Sequence, residues 1–206
     1  MYARSTTVRG NPQSIDEAIA YLRDEVMPAV TAMDGCIGLS MMCDRDSGRC
    51  IATSAWASEE AMHDSESGMH DMRMRYARMM GSEPEVQEWE IGVLHRKHTA
   101  PEGATCRVIW SRGDPANAET VLDAYRMTML PKMEDLPGFC SVSLLIDREG
   151  GRAVSAVVYA SREAMNQATE MAKPMREEFT RQMGGEITEV AEFDLVLAHL
   201  RVPETV

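Results

Sequence analysis

His63, Glu66 and His70 stand at helical spacing, so a helix would carry two imidazoles and a carboxylate on one face, a set able to bind a metal such as zinc. The chain repeats itself, and the corresponding positions of the second copy are Asn166, Thr169 and Lys173, which are unfit for that role. The cluster therefore reads first as a solvated polar face, and no metal is expected. His95 and His199 recur at matching places near the end of a β-type run. Each is a candidate base or, with more weight, a satisfied structural group. Cys43 and Cys50 bracket a turn over Arg45 to Gly48 and would face each other across a hairpin, as a redox pair or as two small apolar strand residues. The second copy has Ile146 and Ala153 there, which favours the apolar reading.

These residues sit in a duplicated framework. A shift of 103 positions (Pro12 onto Pro115) aligns Arg9-Gly10-Asn11-Pro12 with Arg112-Gly113-Asp114-Pro115, Arg4 with Arg107, Pro28 with Pro131, Arg73 with Arg176 and Tyr76 with Phe179. One inserted residue later, Glu88, Trp89 and His95 match Glu192, Phe193 and His199. The identities fall at glycines, prolines and apolar positions, where backbone and core demand them. Copies at 1–96 and 104–206 with a linker over 97–103 are expected.

Each copy reads β-α-β-β-α-β. Tyr2 to Val8 is a short strand; a helix follows from about Ser14 with Ile19, Leu22, Val26 and Val30 on its apolar face, and Gly35 ends it. Pro28 and Pro131 lie inside that pattern and predict a kink or break, since proline lacks the N–H of an i to i−4 bond. Ile37 to Cys43 and Arg49 to Trp56 form a hairpin around Asp44-Arg45-Asp46-Ser47-Gly48, and Ser58 can cap a second helix running to Met80. Met62, Met69, Met72, Tyr76 and Met80 line one face of that helix, as core or as an adaptable apolar pocket. In the last strands, Glu88, Glu90, Glu192 and Asp194 should lie beside the first strands and pair with Arg4 and Arg107. This order defines an α+β class of two tandem ferredoxin-like units. Apolar residues of both parities on the strands imply that both sheet faces are covered, so the two antiparallel sheets are expected to pack face to face within the chain as an intramolecular pseudo-dimer.

Composition narrows the function. A net charge of −12 argues against nucleic acid and anionic membrane surfaces and leaves small neutral or apolar ligands open. An N-terminus without an apolar h-region, no 18-residue apolar run and five cysteines without metal-type spacing suggest a cytoplasmic protein.

The element order, the length of each copy, and the aromatic-x-Ser-x-Glu-Ala-Met junction at Trp56 to Met62 and Tyr159 to Met165 resemble the dimeric α+β barrel superfamily, and within it antibiotic biosynthesis monooxygenase-like (ABM) domains. The resemblance spans nearly the whole chain as two units, one chain supplying what two subunits usually do, with room for further homodimerisation. It implies a pocket between sheet and helices for a small apolar or aromatic molecule, and either cofactor-independent oxygenation or a non-catalytic binding or stress-response role. On that reading His70 and Tyr76 are the catalytic candidates, and Trp56, Trp89, His95, Trp110, Tyr159, Phe179 and His199 are pocket candidates. The haem-degrading branch is less well matched, because the first strand lacks its Asn and the second helix its Trp. No cofactor is therefore expected.

Overall fold

The computed structural model describes residues 1–200; positions 201–206, which the second sequence copy includes, lie outside the described residues. The first copy runs β1 (Tyr2–Arg9), α1 (Ile15–Tyr21), α2 (Met27–Thr31), β2 (Cys36–Asp44), β3 (Arg49–Trp56), α3 (Glu59–Asp64), α4 (Glu66–Met80) and β4 (Glu85–Arg96). The second runs β5 (Thr105–Arg112), α5 (Ala118–Ala124), α6 (Leu130–Glu134), β6 (Phe139–Asp147), β7 (Arg152–Tyr159), α7 (Arg162–Gln182) and β8 (Glu186–Leu200). Two β-α-β-β-α-β repeats are present, as the sequence period requires.

The described residues form two compact units, one of Met1–Trp89 together with the end of β8 from Phe193, the other of Glu90–Glu192. In the first unit the sheet order is the start of β4, then β1, β3, β2 and the end of β8. The neighbours β1–β3, β3–β2 and β2–β8 run antiparallel. Leu39 faces His199 and Cys43 faces Asp194 across β2 and β8, while Cys43 also faces Cys50 across the hairpin, the register set by the Arg45–Gly48 turn. Helices cover one face: Ile15, Leu22 and Val30 meet Leu39, Met41, Trp56, Met62 and Met80 in one buried cluster. In the second unit β5, β7, β6 and the end of β4 pair antiparallel in that order, and Leu122, Tyr125, Leu130, Phe139, Leu144, Tyr159 and Met165 form its core. Burying each such side chain stabilises the fold by about 1.5–3 kcal/mol.

The hairpin turns explain why their glycines are needed. Gly48 and Gly151 adopt φ +72 and +61, and a Cβ on either would lie 2.0 and 2.3 Å from the carbonyl oxygens of Gly10 and Gly113. Those contacts dock each turn onto the loop after the first strand, with Gly10 N–H donating to Gly48 O at 3.1 Å and Gly113 N–H to Gly151 O at 2.8 Å. After each hairpin a serine caps the next helix: Ser58 Oγ accepts from the Ala61 N–H, and Ser161 Oγ from the Ala164 N–H, both at 3.1 Å.

Of the kink or break expected at the prolines, a break is not what the structure shows. Helix continues through Pro28, because the turn before it, Leu22–Val26, is a wide π turn in which Met27 N–H donates to Leu22 O five residues back. The second copy repeats this at Tyr125–Met129, with Leu130 N–H on Tyr125 O. One wide turn absorbs the mismatch and re-aims the helix without interrupting it. The second helical segment also departs from one continuous rod. In the first copy it divides at Ser65, whose Oγ donates to Met62 O at 2.7 Å; in the second it is a single helix that tolerates Pro174. Among the described residues no helix is long and apolar enough to cross a membrane.

Candidate functional site

Each unit holds a cavity between its sheet and its helices, and the two are equivalent position by position. The first is lined by Arg4 and Thr6 of β1, Leu22 and Val26 of the π turn, Ala52 and Ser54 of β3, and Met69, Met72, Arg73 and Tyr76 of α4. The second is lined by the counterparts Arg107, Ile109, Tyr125, Met129, Ser155, Val157, Ala172, Met175, Arg176 and Phe179, with Met133, Leu136, Leu144 and Tyr159 among others extending it. Alternation along the strands turns Arg107, Ile109 and Ser111 of β5 to this side.

The volumes differ twofold, about 40 Å³ in the first unit against about 80 Å³ in the second. Either exceeds the roughly 10–15 Å³ that one water needs. Ala172 stands where the first copy has Met69, and removing that thioether opens the second cavity under α7. A surface groove of about 540 Å³ shares Met129, Leu136, Met175 and Phe179 with the second cavity, so these side chains stand between the cavity and the groove.

The electrostatics diverge more sharply. In the first unit Arg4 is almost fully buried and gives Nε and Nη2 to Glu88 Oε1 at 2.9 and 2.7 Å, the cross-strand pair expected from the strand order. Arg73 gives both terminal nitrogens to Glu66 at 2.8 Å, and Glu66 Oε2 also lies 3.2 Å from Arg4 Nη1. Glu66 is thereby clamped between two guanidinium groups, and the Arg73 bonds hold its carboxyl below the usual range. In the second unit Arg107 pairs with Glu192, Nη2 to Oε1 at 2.7 Å, but Thr169 replaces Glu66 and accepts from Arg107 Nη2 at 2.9 Å. Arg176, the counterpart of Arg73, has lost its carboxylate. Its Nε and Nη1, and Arg107 Nη1, are buried without a hydrogen-bond partner. Burial first, and the Arg107 charge second, push the Arg176 pKa down.

Among the residues singled out from the sequence, Tyr76 lines the first cavity, and Tyr159 and Phe179 line the second. Burial, reinforced by the nearby Cys50 and Cys43, raises the Tyr76 phenol well above its ordinary pKa, so it stays protonated at neutral pH. Trp56 is fully buried, its Nε1 donating to Ser54 Oγ at 3.0 Å, and Trp89 Nε1 donates to Ser5 Oγ at 2.9 Å; neither lines a cavity. His70 is exposed, with Nδ1 3.8 Å from Glu66, and His63 Nε2 meets Glu88 at 3.1 Å. His95 Nε2 lies 2.7 Å from Glu134, its ring stacked on Phe139, while His199 sits half-buried opposite Leu39. Trp110, of the opposite parity on β5, is half-buried away from the cavity-lining side. The Cys43 thiol is pushed up by its contact with Cys50 and by burial, and both cysteines are free. The arginine pair is what inspection of single residues misses. Its signal is a matched Arg73–Arg176 column beside a Glu66–Thr169 mismatch.

Tandem β-α-β-β-α-β units with a cavity under the helices of each define an α+β protein of two ferredoxin-like repeats. The model of the antibiotic biosynthesis monooxygenase family matches residues 1–70. Over 206 residues the chain is 47% identical to the uncharacterized protein Rv2557 of Mycobacterium tuberculosis, covering all of this chain and 92% of that one. Among solved structures, a protein of Lactobacillus acidophilus NCFM provisionally assigned as a monooxygenase shares the fold at TM-score 0.71 and 16% identity, over 97% of this chain and 96% of that one. An anthrone oxidase-like protein does so at TM-score 0.63 and 14% identity, over 99% and 95%. The chain belongs to the antibiotic biosynthesis monooxygenase family.

Proposed function

We propose that the protein binds a small, largely apolar or aromatic molecule in the sheet–helix cavity of its second unit. The observation that carries this reading is the enlargement of that cavity where Ala172 replaces Met69, next to a surface groove. Methionines 129, 133 and 175 form much of the wall, and unbranched thioethers adapt to ligands of different shape. The repeat copies 1–96 and 104–206 divide the work: the first holds a smaller, ion-paired counterpart of the second. Fold neighbours described as monooxygenase and anthrone oxidase-like support testing an oxygenase role.

The lining also limits what chemistry can occur there. It contains no carboxylate or imidazole, and its phenols are Tyr125 and Tyr159, both raised above the ordinary tyrosine pKa chiefly by burial. A reaction begun by proton abstraction therefore lacks a base in this cavity, and binding is the activity its geometry serves best. Thermal-shift and calorimetric titrations with single-ring aromatics, run beside oxygen-uptake assays with anthrone- and quinol-type substrates, test the reading. Saturable binding lost in Ala172→Met is expected; binding untouched by that substitution would remove the cavity from consideration.

A further inference from the structure

We propose that the second-unit cavity is selective for an apolar monocarboxylate, whose head is held by Arg107 and Arg176 and whose apolar body lies among Met129, Met133, Met175 and Phe179. This rests on the binding role proposed above and names the class of ligand.

The first unit shows what the arginine pair is built to hold. There Arg4 and Arg73 converge on the carboxylate of Glu66, with both Glu66 oxygens engaged by Arg73 at 2.8 Å and Oε2 3.2 Å from Arg4. The second unit keeps both guanidinium groups, on the same strand and the same helical face, and deletes the carboxylate by placing Thr169 at that position. Arg107 is 3% exposed and leaves Nη1 unpartnered; Arg176 leaves Nε and Nη1 unpartnered; both side chains border the cavity. Buried, unanswered N–H donors carrying positive charge are costly. A ligand carboxylate entering from the cavity would restore the missing bonds, since a planar guanidinium fork matches two carboxylate oxygens. Glu192 already serves Arg107 through Oε1 at 2.7 Å and lies 3.4 Å from Arg162 through Oε2, so it leaves Arg176 to the ligand. The remaining wall is mostly apolar, with hydroxyls of Ser111, Tyr125, Ser155, Tyr159 and Thr180 among the methionines and aliphatics, which selects an acid with a hydrophobic body over phosphate or a small hydrophilic anion.

The test is isothermal titration of the full chain with benzoate and hexanoate against their neutral isosteres, benzamide and hexanamide. Each acid is expected to bind about tenfold or more tightly than its amide, the scale of a charged hydrogen bond. Arg176→Gln and Thr169→Glu should each reduce the acid to the level of its amide. The Thr169→Glu variant supplies the internal carboxylate of the first copy, so it is expected to remain folded, as circular dichroism will show. Ala172→Met should weaken acids and amides together. Equal affinity for acid and amide overturns the inference and leaves the binding role standing, as does an acid preference that survives both charge variants. Failure of all four probes to bind the wild-type chain overturns both.

Discussion

The two cavities share a scaffold but differ at most of their lining positions, and three differences on the helix that covers each matter most: Met69 against Ala172, Glu66 against Thr169, and Tyr76 against Phe179. The first changes volume, the second the local charge balance, and the third a buried hydroxyl. In the first unit Glu66 answers the terminal nitrogens of Arg73 and the charge of Arg4, and Met69 fills space, although Arg73 Nε and the Tyr76 hydroxyl are still buried without a hydrogen-bond partner. In the second the same arginines face a larger cavity without that carboxylate. Two identical subunits would have to carry any substitution at both sites. Fusing the copies into one chain frees one cavity to serve packing while the other departs from it.

That contrast can be broken from either side. The largest effect is expected from Met69→Ala, which imports the second unit's opening into the first. Urea denaturation should show a loss of about 2–3 kcal/mol, because the site has evolved around the thioether. Glu66→Gln should cost about 1–2 kcal/mol by the same measurement, since Arg4 and Arg73 then lose a charged acceptor, Arg4 keeping Glu88 and the Ser65 hydroxyl. The 44% exposure of the Glu66 side chain keeps this below the cost of breaking a fully buried pair. The converse Thr169→Glu should raise stability by up to about 1 kcal/mol; a clear loss would mean that the second-unit arginines are not placed as their counterparts are. The smallest effect is a titration. The Glu66 carboxyl is lowered by its bonds from Arg73, so its contribution is fully present above the unfolded pKa of about 4.3 and is lost as pH falls through the lower folded value. Carbon-detected NMR should find Glu66 titrating below the ordinary glutamate range, and Arg73→Gln should raise it.

Much of this architecture is legible in the sequence, because duplication supplies an internal comparison. The hairpin register follows from the Asp44–Gly48 turn, and the Arg4–Glu88 and Arg107–Glu192 pairs follow from strand order. Other features are set by non-local geometry. A wide turn before Pro28 depends on how the helix must reach β2, and proline alone does not choose between a break and a bulge. Periodicity places Trp110 on a strand and His70 on a helix, but the facing of each depends on what packs there; one turns from the cavity and the other toward solvent. Thr169 is visible in the sequence as a poor metal ligand. Its weight as a missing carboxylate emerges only once Arg4, Glu66 and Arg73 are seen to meet.

The pairing of β2 with the end of β8 bears on how the protein is made. Leu39 waits for His199 and Cys43 for Asp194, so the sheet of the first unit has no partner for that edge until β8 has left the ribosome. During synthesis β2 is an open template for foreign strands, and closure joins residues far apart in sequence, a slow step. Truncation near residue 96 should therefore yield an aggregation-prone fragment, and the last strand acts as the latch that ends this vulnerable interval.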